Sequence, residues 1–184
     1  MKEAPTTPMS SCLIAFLVLF LIVAIPAMVW SYSSNPPLAT TGAPGEGTCA
    51  NCHGDEAGRG NIKVTASGGT YYQPGVKQHL KVTITDPDAN IWGYEMTSVR
   101  ASKPTTGTGI FKATNNLSDV RTQGTKSYAA QINDQQGKTK AVTFAIDWIP
   151  PKKNVGKITL YLAGIGAYAT GESCYTGRLT LSPK

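Results

Sequence analysis

Apolar and polar residues alternate one by one through most of the chain beyond residue 60. Val142, Phe144, Ile146 and Trp148 form the cleanest run, with mainly small or polar residues between them. A period of two places successive side chains on opposite faces of a strand, so one face is buried and the other meets water. The apolar positions of the other runs are Ile62, Val64, Ala66, Leu80, Val82, Ile84, Ile158, Leu160, Leu162, Leu179 and Leu181.

Weaker alternation predicts three further strands, over residues 91–99, 109–114 and 127–132. Clusters of Gly, Pro, Asp and Ser separate the runs, as turns do. No segment after residue 34 has a convincing helical period of 3.6 residues. The sequence therefore predicts an all-β fold, an antiparallel β-sandwich of about eight or nine strands over residues 61–184.

One uncharged apolar segment, Cys12–Trp30, precedes these strands. Its nineteen residues come close to the ~20 that cross a bilayer as a helix. Pro26 and the small polar residues after it favour a signal peptide cleaved near residues 29–33, and the alternative is an uncleaved membrane anchor. In both cases residues 1–33 direct export. The remaining chain then lies outside the cytoplasm, in the periplasm, at the cell surface or in the medium.

Residues 34–60 differ in composition from both neighbours. Residues 34–48 are rich in proline and glycine and have no apolar periodicity, which is typical of a linker. The short segment TCANCHGDEAGRGN follows it and ends before the first strand. The sequence thus predicts a linker and a cysteine-containing arm between the export segment and the sandwich.

Several short motifs occur in a characteristic order along the exported part. They are the GAPGE sequence at 42–46, TCANCHG at 48–54, the turn Tyr72–Gly75, the strand motif Trp92–Glu95, the corner Trp148-x-Pro150 and the segment Gly156–Tyr161. In this order they resemble exported bacterial proteins of the Reeler-like group, of the choice-of-anchor type. The resemblance covers about residues 42–182 and implies an immunoglobulin-like β-sandwich at the cell surface or in a secreted protein. It implies no activity, because this fold carries many functions.

The charge pattern argues against nucleic-acid binding. The formal net charge is +6, but the basic residues are scattered and only Lys152 and Lys153 are adjacent. A nucleic-acid site needs a clustered basic footprint. The chain also has only two histidines, and we find no Ser-His-Asp set, phosphate loop or acid–base pair. We therefore expect no enzymatic activity.

The segment with recognisable chemistry is Cys49-Ala50-Asn51-Cys52-His53, which has the C-x-x-C-H spacing of c-type haem attachment. Two thiols at this spacing add to the two vinyl groups of one haem, and the next imidazole then lies under the iron. The covalent links hold the cofactor even on a short irregular segment. Cys49, Cys52 and His53 are therefore predicted to bind haem c, with His53 as an iron ligand.

Other interpretations of this segment stay open. The two cysteines can form a disulfide in an oxidising compartment. They can also form part of a Cys₃His zinc site with Cys174 and a histidine. A thioredoxin-like thiol centre would need a βαβ context that the sequence does not contain. Cys174 is left over once Cys49 and Cys52 are used, so it is also a candidate for pairing with one of them or with another chain.

A haem iron takes a second axial ligand or keeps an open site. His79 is the other histidine, on the polar face of the strand containing Leu80 and Val82, and it is the first candidate for this metal position. Met96 is the second candidate. The sequence thus predicts a monohaem c-type protein that transfers single electrons to a redox partner outside the membrane. The alternative function is a cell-surface or secreted binding or structural module.

Overall fold

A computed structural model of the 184-residue chain describes residues 35–54, 58–132, 137, 140–169 and 171–184. The apolar segment Cys12–Trp30 lies outside the described residues, so its predicted role in export remains a prediction. Within the described part of the chain, no helix is both long enough and apolar enough to cross a membrane.

The described residues form eleven strands and one short helix. The helix α1 covers Ala50–His53. The strands are β1 (Asn61–Ala66), β2 (Tyr71–Tyr72), β3 (Gln78–Thr85), β4 (Ile91–Arg100), β5 (Lys103–Gly107), β6 (Ile110–Ala113), β7 (Ser118–Gln123), β8 (Lys126–Gln131), β9 (Ala141–Ile149), β10 (Ile158–Tyr168) and β11 (Gly171–Pro183).

Two sheets pack face to face. The smaller sheet has the strand order β1-β3-β9-β6, and the larger has β2-β11-β10-β4-β8-β7 with β5 beside β4. Neighbouring strands are antiparallel except β2 and β11, which pair in parallel through Tyr71 and Ser182. This architecture confirms the predicted all-β antiparallel sandwich. It has more strands than the eight or nine predicted, because β2, β5 and β7 are short or lack apolar alternation and are defined by backbone pairing.

The core lies between the sheets and contains the residues that the alternation predicts. Phe144 and Trp148 of β9 are both fully buried. The Tyr94 ring lies 4.6 Å from the Phe144 ring, and Tyr72 meets Trp148 edge-on at 6.0 Å. The other predicted core residues are also buried, namely Val82, Ile84, Val142, Ile146, Ile158, Leu160 and Leu162.

Strand β4 is buried on both of its faces. Its inward side chains Trp92, Tyr94 and Met96 belong to the core. Its outward residues are also buried, including Glu95 and Thr97. The outer face of the larger sheet is covered at this point by residues 35–54, which we call the arm.

The arm is the segment that composition marks as a linker followed by the C-x-x-C-H motif. It is attached to the larger sheet at several points. The backbone N–H of Asn35 donates to the Gln131 carbonyl at 3.2 Å, and the Arg121 guanidinium donates to the Pro36 carbonyl at 2.5 Å. The arm therefore packs against the sandwich despite its linker-like composition.

Candidate functional site

Glu46 fixes the loop of the arm on the larger sheet. Its carboxylate accepts hydrogen bonds from Tyr128 Oη at 2.7 Å and from Thr41 Oγ1 at 2.5 Å. It also forms an ion pair with Lys126, whose ammonium is mostly buried. Separating buried charged groups that are paired and hydrogen-bonded in this way costs free energy, because each group would lose its partner. The Glu46 contacts thus hold the part of the arm that precedes the cysteines.

Glu95 lies beneath the arm with no exposed surface. Its Oε2 accepts hydrogen bonds from Thr40, from the backbone N–H at 2.8 Å and from Oγ1 at 2.9 Å. Within the described residues its Oε1 has no hydrogen-bond partner, and Arg121 Nη2 lies 3.8 Å away. Burial raises the pKa of Glu95 to about 7, because the charged form loses its hydration, and the Thr40 hydrogen bonds and Arg121 only partly oppose this.

The C-x-x-C-H motif lies on the outer face of β11, the strand that ends the described chain. The motif forms the single-turn helix α1, with Cys49 at its N-cap. His53 Nδ1 lies 2.8 Å from Glu172 Oε2. This contact fixes one ring nitrogen of His53 and leaves Nε2 as the nitrogen available to a ligand. Sequence reasoning missed Glu172, although its two-residue spacing from Cys174 places both on one face of the strand.

The cysteines of this region have different environments. Cys49 and Cys174 are half-buried, and Cys52 is exposed. Burial raises the pKa of the Cys49 thiol to about 12, and the nearby Cys174 and Glu95 add smaller electrostatic contributions in the same direction. Cys174 and Glu95 thus act on Cys49 more strongly than Cys52 does, and Cys52 is exposed to solvent.

The structure does not bring the two predicted distal ligands to His53. His79 lies on the outer face of the smaller sheet, on the opposite side of the sandwich from the arm, where its Nδ1 is 2.5 Å from Asp147 Oδ1. Packed sheets are about 10 Å apart, so one iron cannot take both histidines from the same chain. Met96 is fully buried in the core. Neither residue can complete the coordination of an iron held by His53 in this fold.

Asp147 accepts contacts from two side chains, Lys77 and His79. Burial raises its pKa, but the hydrogen bonds from Lys77, at 2.9 Å, and from His79 outweigh burial and leave the pKa below its usual value. In the described structure His79 therefore contacts a carboxylate on the surface of the smaller sheet. Within the described residues, no group of three or more His, Cys, Asp or Glu side chains is arranged to hold a metal ion. The predicted Cys₃His zinc set is not assembled among them.

The outer face of the smaller sheet gathers lysines that are far apart in the sequence. Lys63 of β1, Lys81 of β3 and Lys112 of β6 all point outward and are exposed. Threonines occupy many of the positions between them: Thr65, Thr83, Thr85 and Thr143. Among the described strand residues of this face, Asp147 is the one carboxylate. It contacts Lys77 and His79, and Lys112 lies directly opposite it on β6. We call this surface the Lys/Thr face.

The chain matches no family model and no curated protein. Its fold is similar to a crystal structure of the Reelin-N domain of F-spondin, with a TM-score of 0.51 and 14% identity over 73% of this chain and 94% of that domain. The human F-spondin reeler domain gives a TM-score of 0.46 at 13% identity, covering 72% and 94% of the two chains. A cohesin module from Clostridium perfringens gives 0.47 at 12%, covering 68% and 96%. The first similarity supports the Reeler-like β-sandwich fold that the ordered motifs imply, and identities this low extend no further than the fold.

Proposed function

We propose that the exported part of this chain is a binding module whose Lys/Thr face holds an acidic polysaccharide outside the cytoplasm. The observation that carries the proposal is the excess of positive charge on that face. Lys63 and Lys81 lie on adjacent strands in neighbouring cross-strand rows, and Lys112 lies at the far edge of the same sheet. Several ammonium groups on one flat surface attract a polymer whose negative charges repeat along its length.

The chemistry of the face favours a hydrated polymer over an acidic protein. Protein interfaces have a core enriched in aromatic and other apolar side chains. On the described part of this face the one large exposed hydrophobic is Ile110, at its edge. The remaining positions carry hydroxyl and ammonium groups, which bind carboxylate, sulfate and hydroxyl oxygens.

A charge-matched pair of triple variants tests this function. Replacing Lys63, Lys81 and Lys112 by glutamine should weaken binding to immobilised heparin or polygalacturonate about tenfold or more, since exposed charge pairs contribute roughly 0.5–1 kcal/mol each. Affinity should also fall as salt concentration rises. Surface plasmon resonance at two salt concentrations measures both effects.

Lys152, Lys153 and Lys157 provide the control. They are exposed and lie in the loop between β9 and β10, so their replacement by glutamine changes the net charge equally and should leave binding almost unchanged. If both triple variants lost the same amount of binding affinity, the effect would depend on net charge alone, and the proposal would be contradicted. So would an absence of binding by the unaltered protein, or tighter binding to polyglutamate than to either polysaccharide.

Covalent binding of haem c by Cys49, Cys52 and His53 is a second candidate function, and one observation favours it. Glu172 holds His53 Nδ1 at 2.8 Å, the arrangement in which a carboxylate orients a metal-ligating histidine and leaves Nε2 for the metal. The bound haem would supply one-electron chemistry to a redox partner. Because His79 and Met96 are out of reach, this chain would leave the sixth iron position to water or to an external ligand.

Expression in an exporting host that matures c-type haem tests this candidate. Haem attachment should give a Soret band and a haem-bearing mass that survives denaturation, and Cys52→Ala should lose the second thioether link. The reduced protein should bind carbon monoxide, and His79→Ala should leave the visible spectrum unchanged. A colourless product from a host that matures a control cytochrome would reject haem attachment.

A further inference from the structure

The helix α1 and the strand β11 match in spacing where they contact each other. Cys49 and His53 are four residues apart on a helix, which is about 6 Å along its axis. Cys174 and Glu172 are two residues apart on one face of a strand, which is about 6.6 Å. With His53 held 2.8 Å from Glu172, this match would bring Cys49 over Cys174 where α1 runs antiparallel to β11. A Cβ at Gly42 would lie 3.4 Å from Thr48 Cγ2 and 3.7 Å from Thr176 Cγ2, so the residue before Cys49 and the residue two after Cys174 adjoin the same point of the arm.

The surroundings of the two thiols agree with this placement. Cys49 and Cys174 are both half-buried, and Cys174 raises the pKa of the Cys49 thiol more than Cys52 does. Cα atoms of α1, whose first residue follows Cys49, approach Cα atoms of β11 to within 8 Å, and a disulfide needs the two cysteine Cα atoms about 4.4–6.8 Å apart. Cys52 is on the exposed side of the helix.

The arm is also held in register independently of the cysteines. Thr40 is bonded to Glu95, and Glu46 is bonded to Tyr128 and paired with Lys126. These contacts precede Cys49 in the chain, and the His53–Glu172 contact follows it. The position of Cys49 within the arm is thus fixed from both sides.

We propose that Cys49 and Cys174 form a disulfide that fastens the arm to the last strand of the sandwich, and that Cys52 keeps its thiol. This pairing goes beyond polysaccharide binding and does not depend on it. It excludes the second candidate function in the same molecule, because a thioether to haem would consume the Cys49 sulfur. It also differs from a disulfide within the C-x-x-C sequence.

The oxidation needs an acceptor for two electrons. The two thiols lose two protons and two electrons as the S–S bond forms, and a thiol oxidant of the disulfide class is reduced to two thiols. A protein disulfide-exchange catalyst or glutathione disulfide outside the cytoplasm supplies this chemistry. Exchange proceeds through a mixed disulfide, so one of the two thiols must be reachable before the arm closes.

Differential alkylation of the full chain, expressed for export into an oxidising compartment, tests the pairing. The first alkylating reagent is added to the denatured, unreduced protein, and a second, isotopically distinct reagent follows reduction. We expect the first label on Cys52 and the second on Cys49 and Cys174, with a peptide containing Cys174 cross-linked to the peptide containing Cys49 before reduction. Reduction should lower the melting temperature by roughly 10 °C, because the bond closes a long loop.

Serine variants provide the matched controls. Cys52→Ser should keep the cross-link and the melting temperature, while Cys174→Ser should lose both. First label on Cys174, a bond between Cys49 and Cys52, first label on Cys49, Cys52 and Cys174 together, or haem on the Cys49 peptide would each overturn the pairing, whatever label Cys12 carries. The alkylation pattern of the unaltered protein decides the matter even where a variant fails to fold. Heparin binding by Cys174→Ser separates this outcome from the function of the Lys/Thr face, which lies on the other sheet.

Discussion

Replacing Trp148 by alanine is expected to lower the free energy of unfolding by about 3–5 kcal/mol. Trp148 is fully buried, and its ring meets Tyr72 edge-on at 6.0 Å. Its Nε1 donates a hydrogen bond to Ser98 Oγ at 3.1 Å, so the truncation removes a buried polar partner as well as volume. Small domains are stable by only about 5–15 kcal/mol, and the variant should therefore be close to unfolding at room temperature. Urea denaturation followed by circular dichroism measures the change.

Trp148→Phe is the matched control for this effect. It retains an aromatic ring in the core and loses the hydrogen bond to Ser98, so the loss should fall to about 1–3 kcal/mol. A change below about 1 kcal/mol in Trp148→Ala would contradict the burial of this side chain between the sheets.

Gly109 provides an independent check of the packing around Trp148. A Cβ at Gly109 would lie 2.6 Å from the Trp148 indole nitrogen, and the backbone φ there is 71°. Gly109→Ala should therefore destabilise the protein too.

Raising the pH from about 4.5 to 7 is expected to remove about 3 kcal/mol of stability through Glu95 alone. The pKa of this carboxyl is about 7 in the folded protein and 4.5 is its ordinary value. Between these values the folded state binds more protons than the unfolded state, so stability is highest below the unfolded pKa and falls as the pH rises through the folded one. The cause is burial of the carboxylate under the arm, where Arg121 is 3.8 Å away and Cys49 and Glu46 are the neighbouring acidic groups.

Comparison with Glu95→Gln isolates this contribution from all other titrating groups. The amide oxygen can still accept from Thr40, and the side chain carries no charge at any pH. The difference in unfolding free energy between variant and unaltered protein should shift by about 3 kcal/mol in favour of the variant from pH 4.5 to 7. The altered contact with Arg121 adds the same free energy at every pH, so it does not change how this difference depends on pH. A pH-independent difference would mean that Glu95 titrates normally and that the arm does not bury it.

The sequence predicts strands well where one face of the strand is exposed to solvent and the other is buried. Phe144 and Trp148 belong to such a run in β9, and their burial follows directly from period-two alternation. Strand β4 departs from that rule because the core covers one of its faces and the arm covers the other. Glu95 therefore looks like an ordinary outward carboxylate in the sequence, although it is fully buried.

The arm was not predictable from local pattern for a related reason. Its attachment depends on a few polar contacts to distant residues, such as Thr40 to Glu95 across 55 positions and Glu46 to Tyr128 across 82. A composition rich in proline and glycine indicates that a segment is flexible when nothing binds it. It does not identify distant residues that hold the segment in the folded protein. Part of the Lys/Thr face could have been predicted from the sequence, because Lys63 and Lys81 occupy the outward-facing positions of strands that the alternation predicts. The pairing of these two strands is known only from the fold.

The long reach of these contacts sets an order of events for the folding chain. The arm is synthesised before every strand of the sandwich, yet one of its attachments, between His53 and Glu172, spans 119 positions and needs the last strand. Closing so long a loop is entropically costly until the intervening strands have assembled, so we expect the arm to dock at the end of folding. Until then the Cys49 and Cys52 thiols remain on an undocked segment, where a thiol oxidant or a haem-attaching enzyme would reach them. The time that β11 takes to join the sheet therefore sets how long the Cys49 sulfur stays available to the two proposed fates, the bond to Cys174 and the thioether to haem.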